Sequence, residues 1–324
     1  MPFLIRCFLA FLIAYGVSCR VSSAGTNEYP AAPIKLVVPF AAGGGGDISA
    51  RILSDAMGNS LGQPVVIENR PGAGGLAAAQ SVWHAAPDGY SILMVGNINA
   101  IAPSMLKSVP YDILRDFTPI SIVATTDVVV FGPKSSRFKN LRDVLDEAKK
   151  KPGTINIGVG LVGTTQHLTA ELFKMITNID AVIVPFRSSA DLVTAVRRGD
   201  VDVGFELMAP VVGSFTSGDL KPLAVSASTR SPLLPETPTF VENDIAAAVT
   251  SWALIAGPAS MPEPIVARLN TAISEALANS EVQQKFRALS LDPGGGTPAE
   301  ARHLLATEIT KWKQVIESAK IGLN

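Results

Sequence analysis

Four consecutive glycines, Gly43 to Gly46, follow the apolar run Ile34-Lys35-Leu36-Val37-Val38-Pro39-Phe40, and Asp47 opens an amphipathic stretch directly after them. Residues without Cβ leave main-chain N–H groups bare and let a ligand come close to the backbone. A helix start beside such a turn carries unpaired donors and positive partial charge. Together they can hold an anion without a cationic side chain. A second turn of this kind runs Gly158-Val159-Gly160-Leu161-Val162-Gly163-Thr164-Thr165-Gln166-His167, again after an apolar run and before an amphipathic one. Thr164 and Thr165 can cap the helix that follows and still donate outward. Taken singly, such a turn is an ordinary N-cap of an α/β protein. Two of them, facing each other between two halves of a molecule, would suit a small molecule with a carboxylate at one or both ends.

Other residues near strand ends admit two readings each. Arg187, in Phe186-Arg187-Ser188-Ser189, can clamp a carboxylate bidentately or stand solvated before a helix. Glu206 closes a strand beginning at Val201 and points into the loop Leu207-Met208-Ala209-Pro210, where it can bond a ligand hydroxyl or amine, or cap the next helix. Asn97 and Asn99 end the strand Ile92-Val95 and can serve as neutral donors or form an Asx turn.

Catalytic chemistries find little support. The first turn lacks the Lys-Ser/Thr of a P-loop. Gly72-Ala73-Gly74-Gly75-Leu76-Ala77 imitates a dinucleotide fingerprint, but Asn69-Arg70-Pro71 separates it from its strand and no acidic residue ends a strand at the required distance. The three histidines, His84, His167 and His303, have no second His or Cys at ligand spacing, so neither a metal nor a cofactor is expected. A secreted hydrolase or transferase would need His167 to act on Thr164 or Thr165, with no orienting carboxylate evident.

The chain has 324 residues, 47% hydrophobic and 17% charged, with formal net charge −1. That is enough apolar material for a substantial core and provides no basic footprint for nucleic acid. Residues 1–24 read as a secretory signal peptide: Arg6, an apolar run from Cys7 to Val17, and the small residues Ser22-Ser23-Ala24. The run is too short to span a bilayer. A mature chain beginning near Gly25 would be exported and would contain no cysteine, since Cys7 and Cys19 both lie in the leader. Val17-Ser18-Cys19 loosely imitates a lipoprotein box, but Gly16 stands where a large aliphatic residue is preferred, which disfavours anchoring through Cys19.

The elements that must position these turns alternate. Strand-like runs occur at 34–40, 65–68, 92–95, 128–131, 155–159, 181–184, 201–205, 223–225 and 253–256. Helices are marked by caps: Asn140 before Leu141, Ser189 before Leu192 with Gly199 at the stop, Pro264 in a first turn, and the capping box Thr297 to Glu300 before a long helix with one apolar stripe. This pattern predicts an α/β fold of two lobes, each a mostly parallel sheet flanked by helices. The crossings are expected at Thr125-Thr126-Asp127 and in the Ser/Pro-rich stretch 226–238. Lobe 1 is then 25–126 plus 236–324, and lobe 2 is 127–235.

In order, these segments resemble the tripartite tricarboxylate transporter receptor family, the Bug-type periplasmic solute-binding proteins. The resemblance rests on Val38-Pro39-Phe40 with Gly43, Gly44 and Asp47, on Leu61 to Gly75, and on Pro87-Asp88-Gly89-Tyr90. Pro110-Tyr111-Asp112, Val184-Pro185-Phe186 and Gly199-Asp200-Val201-Asp202 continue it, so that it covers essentially the whole mature chain. The family implies a flytrap of two lobes that encloses a small organic acid, held mainly by the two Gly-rich loops and often through ordered water. By position, Phe40, Ala42, Gly43, Gly44 and Asp47 belong to the first loop. Gly163, Thr164, Thr165 and His167 belong to the second, and Phe186 and Glu206 match positions lining the cleft. The resemblance further implies a periplasmic monomer that passes its ligand to the membrane subunits of an ion-driven permease, or reports to a sensor. Val159, Leu161 and Val162 stand where the family's second loop is small and polar, and Leu207 stands where Asn is frequent. These changes predict an acid with an apolar or aromatic body, or a dicarboxylate with a long apolar spacer, over a citrate-like ligand whose unmade hydrogen bonds would cost roughly 1–3 kcal/mol each.

Overall fold

Two βαβαβ units with the same strand order organise the molecule. The computed structural model describes residues 29–40, 42, 45–72, 75–160 and 162–321. The leader with Cys7 and Cys19, and Ala41, Gly43, Gly44, Ala73, Gly74 and Leu161, lie outside the described residues. The first unit runs β1 (Ile34–Val38), α1 (Gly45–Leu61), β2 (Val65–Asn69), α2 (Leu76–Trp83) and β3 (Ser91–Gly96). In it β1 lies between β2 and β3 and is parallel to both. The second runs β5 (Ile155–Val159), α5 (Thr165–Thr177), β6 (Ala181–Pro185), α6 (Ser189–Arg198) and β7 (Val203–Leu207), with β5 parallel to both β6 and β7. In each unit the path turns back at its first strand, so successive crossovers leave to opposite sides. Beyond the carboxyl end of that strand a crevice opens, the usual binding position of an open α/β sheet. Both Gly-rich turns occupy these positions.

One long strand joins the units. β4 (Phe117–Pro133) pairs through its first part with β9 (Thr250–Pro258) and β10 (Asp292–Gly295), and through its last part with β7 and β8 (Leu220–Val225). β9 and β10 run against β1 to β4 in the first sheet, and β4 runs against its neighbours in the second. Each sheet is therefore mostly parallel with flanking helices, and the expected two-lobed α/β class holds. At the crossing, Ser226 N–H donates to the Val128 carbonyl at 2.9 Å and Val249 N–H to the Ser226 carbonyl at 2.8 Å, tying the returning chain to β4.

The apolar runs account for the core. Ile34, Leu36 and Ile92 pack with Leu53, Leu269 and Phe286 on one face of the first sheet. Leu93, Val95, Trp252 and Trp312 fill the other. In the second half Val130, Ile157, Phe173, Phe205 and Phe240 form one cluster and Phe131, Leu192 and Val196 another. Helix α5 belongs to both halves. Ala170 and Phe173 enter the second-half core, while Leu168 and Leu172 pack with Leu305 and Trp312 of α10 (Pro298–Ala319). The helix behind the second turn is thus clamped on both sides.

Local punctuation holds in most places. Asn140 caps α4 (Leu141–Lys150) by accepting from Asp143 N at 2.9 Å, Gly199 ends α6 at φ 80°, and Thr297 with Glu300 forms the box at the start of α10. Several expectations are corrected. Ser188, not Ser189, caps α6, accepting from Asp191 N at 3.1 Å. Asn97 and Asn99 do not end a strand but open α3 (Asn97–Met105), where the Asn99 side chain accepts from Gly96 N at 3.1 Å. The expected loop at 207–210 is the start of α7 (Met208–Thr216), so Glu206 lies inside β7. The helix with Pro264 in its first turn is α8 (Glu263–Ala278), and Asn279 caps a further helix, α9 (Ser280–Ala288), that the sequence reading did not mark. The first part of β4 was hidden by Thr118, Pro119 and Ser121, which weaken an apolar run that tertiary pairing nevertheless extends.

Candidate functional site

The first turn is braced from beneath. Asn69, the last residue of β2, donates through Nδ2 to the Phe40 carbonyl at 3.0 Å and to Asp47 Oδ1 at 2.8 Å. Arg51 Nε donates to Asp47 Oδ2 at 2.9 Å, and Arg51 Nη2 to Asn69 Oδ1 at 3.2 Å. The Asp47 carboxylate is 2% exposed, with oxygens bonded to Asn69 and Arg51, and it sits in the first turn of α1 where the helix dipole favours negative charge. It fastens the turn instead of facing the cleft. Gly46 is required here for space. A Cβ on it would lie 2.3 Å from Cδ2 of the Phe40 ring, so the ring rests directly on the helix start.

The second turn is braced from within. Thr164 caps α5, its hydroxyl accepting from His167 N at 3.4 Å. Gly163, at φ 84°, donates its N–H to His167 Nδ1 at 3.3 Å. Burial lowers the pKa of His167 against the opposing pull of Glu171, which keeps the ring neutral and Nδ1 an acceptor. Behind this loop the Glu206 side chain, 1% exposed, takes donors from three neighbouring segments. Gln166 Nε2 donates to Oε1, Ser189 Oγ donates to Oε2 at 2.8 Å, and Leu207 N donates to Oε1 at 2.7 Å. Gln166 and Ser189 follow β5 and β6, and Leu207 ends β7, so one buried side chain ties the carboxyl ends of all three parallel strands together.

Phe40, which leads into the first turn, and the second turn border one cleft. A cavity of about 350 Å³ is walled by Phe40, Asn97 and Ile98 on one side and by Val162, Gly163, Thr164, Thr165 and Gln166 on the other, with Ser251 and Trp252 behind. A neighbouring compartment of about 210 Å³ shares Phe40, Ser251 and Trp252 with it. Among the described residues no charged side chain lines either space. An anion there would meet main-chain N–H groups, hydroxyls and amides.

Of the residues expected at a ligand, Phe40, Asn97, Val162, Gly163, Thr164 and Thr165 meet in this wall. Asn97 is also fastened to β9, its Oδ1 accepting from Trp252 N at 2.7 Å and from Ser251 Oγ at 3.3 Å. Asp47, His167 and Glu206 stand behind the wall and shape it. Ala42 is exposed and outside the lining, and Gly43 and Gly44 lie outside the described residues. Two candidates are displaced. Phe186 packs with Phe131 and Leu192 under Gly158, because its apolar ring finds a core there. Arg187 is exposed, because β6 is the sheet's edge strand and the turn after it lies away from the central crevice. Sequence reasoning missed Gln166, Ile98, Ser251 and Trp252. Gln166 sits inside the second glycine motif and was readable; Ser251 and Trp252 reach the site only through the pairing of β9 with β3 and β4.

Among the described residues no group of three metal-binding side chains occurs, and no helix is long and apolar enough to cross a membrane. A family model described as "Tripartite tricarboxylate transporter family receptor" matches residues 49–323. The chain is similar to Protein BugT of Bordetella pertussis, with 33% identity over 309 residues and 94% of each chain covered. It also superposes on the R. palustris protein Rpa4515 solved with adipate, at 30% identity and TM-score 0.76, covering 91% of this chain and all of that one. MatC (Rpa3494) from Rhodopseudomonas palustris, solved with bound malate, matches at 30% identity and TM-score 0.73 over 89% of this chain and all of that one. With the family model matched along most of its length, this chain belongs to the tripartite tricarboxylate transporter receptor family.

Proposed function

We propose that this chain is a periplasmic solute-binding receptor that captures a small organic acid between its lobes and delivers it to a membrane permease of the tripartite tricarboxylate type. The observation that carries this reading is one cavity on which Phe40, just after the first strand of one unit, meets the Val162 to Gln166 turn after the first strand of the other, with no charged side chain in the described lining. Such a surface suits a carboxylate, which accepts from N–H and O–H groups and draws on helix-end potential. That Rpa4515 was solved with adipate and MatC with malate supports the ligand class.

In this reading the carboxylate bonds the Gly163 to Thr165 segment on one side and faces Asn97 on the other, with Phe40 and Val162 flanking it. Asp47, His167 and Glu206 act as positioning residues. The lobes are divided where β4 and the Ser226–Val249 segment cross. Phe240 and Ile245 pack in the second-half core, which favours placing the return crossing near Val249, beyond the expected residue 235. Only the closed arrangement pairs the carboxylate from both sides, so the ligand favours closure and the permease reads the closed form. Catalysis is disfavoured because His167 Nδ1 already accepts from Gly163 and the Thr164 hydroxyl accepts from His167 N. Native mass spectrometry of freshly purified protein, followed by thermal melts with added acids, tests the reading. A co-purifying acid, or an acid that raises Tm without being consumed, supports it. Turnover of the acid, or the absence of any stabilising carboxylate, overturns it.

A further inference from the structure

The second compartment differs in chemistry from the first. Met94, Ala124, Leu207 and Leu291 form its walls, and it is reached past Phe40 and Trp252, which border both spaces. Three of its four hydroxyls donate within the protein: Ser49 Oγ to the Gly46 carbonyl at 2.9 Å, Thr126 Oγ1 to the Ser290 carbonyl at 2.8 Å and Ser251 Oγ to Asn97 Oδ1 at 3.3 Å; Thr125 is the fourth. The Phe40 ring covers Gly46, where the first turn of α1 borders this space. Among the described residues no lysine, arginine or histidine lines it. A second carboxylate placed there would exchange its hydration for the Thr125 hydroxyl and the Phe40-covered start of α1 alone, with no cation beside it, which is unfavourable. An apolar group would not. The volume, about 210 Å³, is ample, since an apolar cavity of about 150 Å³ accepts benzene.

Resting on the receptor reading above, we propose that the ligand is a monocarboxylic acid whose apolar body, an aliphatic chain or an aromatic ring, occupies the compartment between Met94, Ala124, Leu207 and Leu291. The carboxylate stays in the larger cavity beside Gly163, Thr164 and Thr165. The Phe40 and Trp252 rings flank the junction between head and body. The exposed lip residue Val162 and the half-buried Leu207 extend the apolar surface at either end of this path. Selection then comes from the far end of the ligand, because a polar terminus finds few partners among Met94, Ala124, Leu207 and Leu291.

Calorimetric titration with acids of matched length tests this. Hexanoate is compared with adipate, and phenylacetate with malate and citrate, on the unaltered chain. At least tenfold tighter binding of hexanoate and phenylacetate is expected. Ala124→Leu, which fills the compartment, should weaken hexanoate and phenylacetate tenfold or more while leaving propionate within about twofold. If adipate, malate or citrate binds as tightly as the monoacids, the proposal is overturned while the receptor reading stands. If none of the five acids binds, the receptor reading falls with it. The comparison on the unaltered chain decides the matter even where Ala124→Leu fails to fold.

Discussion

Asp127 provides the sharpest physical test. It lies on β4 where that strand passes from one sheet to the other, and it is only 7% exposed. Burial pushes its carboxyl up from 3.8 to about 6; Asp292 adds repulsion, and a hydrogen bond from Ser231 offsets part of it. The unfolded chain releases this proton near pH 4, the folded chain only near pH 6. Between these values the folded state holds more protons, so stability falls as pH rises, and the full penalty is present above about pH 6. Two units correspond to at most about 3 kcal/mol. Asp127→Asn removes the charge and retains a polar side chain beside Ser231. Melts of both proteins should coincide near pH 4 and separate progressively, with the variant higher by roughly 5 °C above pH 7, given about 2 °C per kcal/mol for a chain of this size. A variant no more stable than the parent at pH 8, or a difference that does not change with pH, would refute the argument that burial of this charge strains the crossing.

His167 carries the opposite sign. Its folded pKa is lowered, so the unfolded chain protonates first, and stability is lost as pH falls from the ordinary histidine value toward the lowered one. Protonation also turns Nδ1 from acceptor to donor and breaks the bond to Gly163 N; His167→Phe should flatten this acid limb in thermal melts. Gly46→Ala forces the Phe40 ring off the helix start, and is expected to lower stability by about 1–3 kcal/mol and to weaken acid binding in calorimetry. Glu206→Ala strips an acceptor from Gln166, Ser189 and Leu207, and should reduce stability by about 1–3 kcal/mol by chemical denaturation, with Glu206→Gln closer to the parent because one acceptor oxygen remains.

Much of the site was readable because its signals are local. An apolar run and glycines occur side by side at 34–47 and 155–167, with an acidic first turn after the one and a capping Thr164 after the other, and each dictates a strand, a turn and a helix start without help from the rest of the chain. Side-chain direction was not readable. Asp47 and Glu206 have the chemistry to bond a ligand or their own loops, and only the positions of Asn69, Arg51, Gln166 and Ser189 decide between the two. Arg187 looked suited to a carboxylate until β6 proved to be an edge strand. Trp252 and Ser251 lie some 150 residues from Asn97, and sheet register alone brings them together. The first part of β4 shares this origin, since pairing with β9 overrides weak local preference.

The placement of β9 bears on how the molecule is made. Thr250–Pro258 threads between β3 and β4, strands that precede it by more than a hundred residues. Until it arrives, both carry an open row of amide and carbonyl groups, the kind of border that recruits stray strands. Such late, distant pairing slows folding. A chain cut short before Thr250 should therefore aggregate instead of yielding a smaller soluble piece. Because the same ribbon supplies Ser251 and Trp252, the molecule gains its receptive mouth only when this late stitch is drawn.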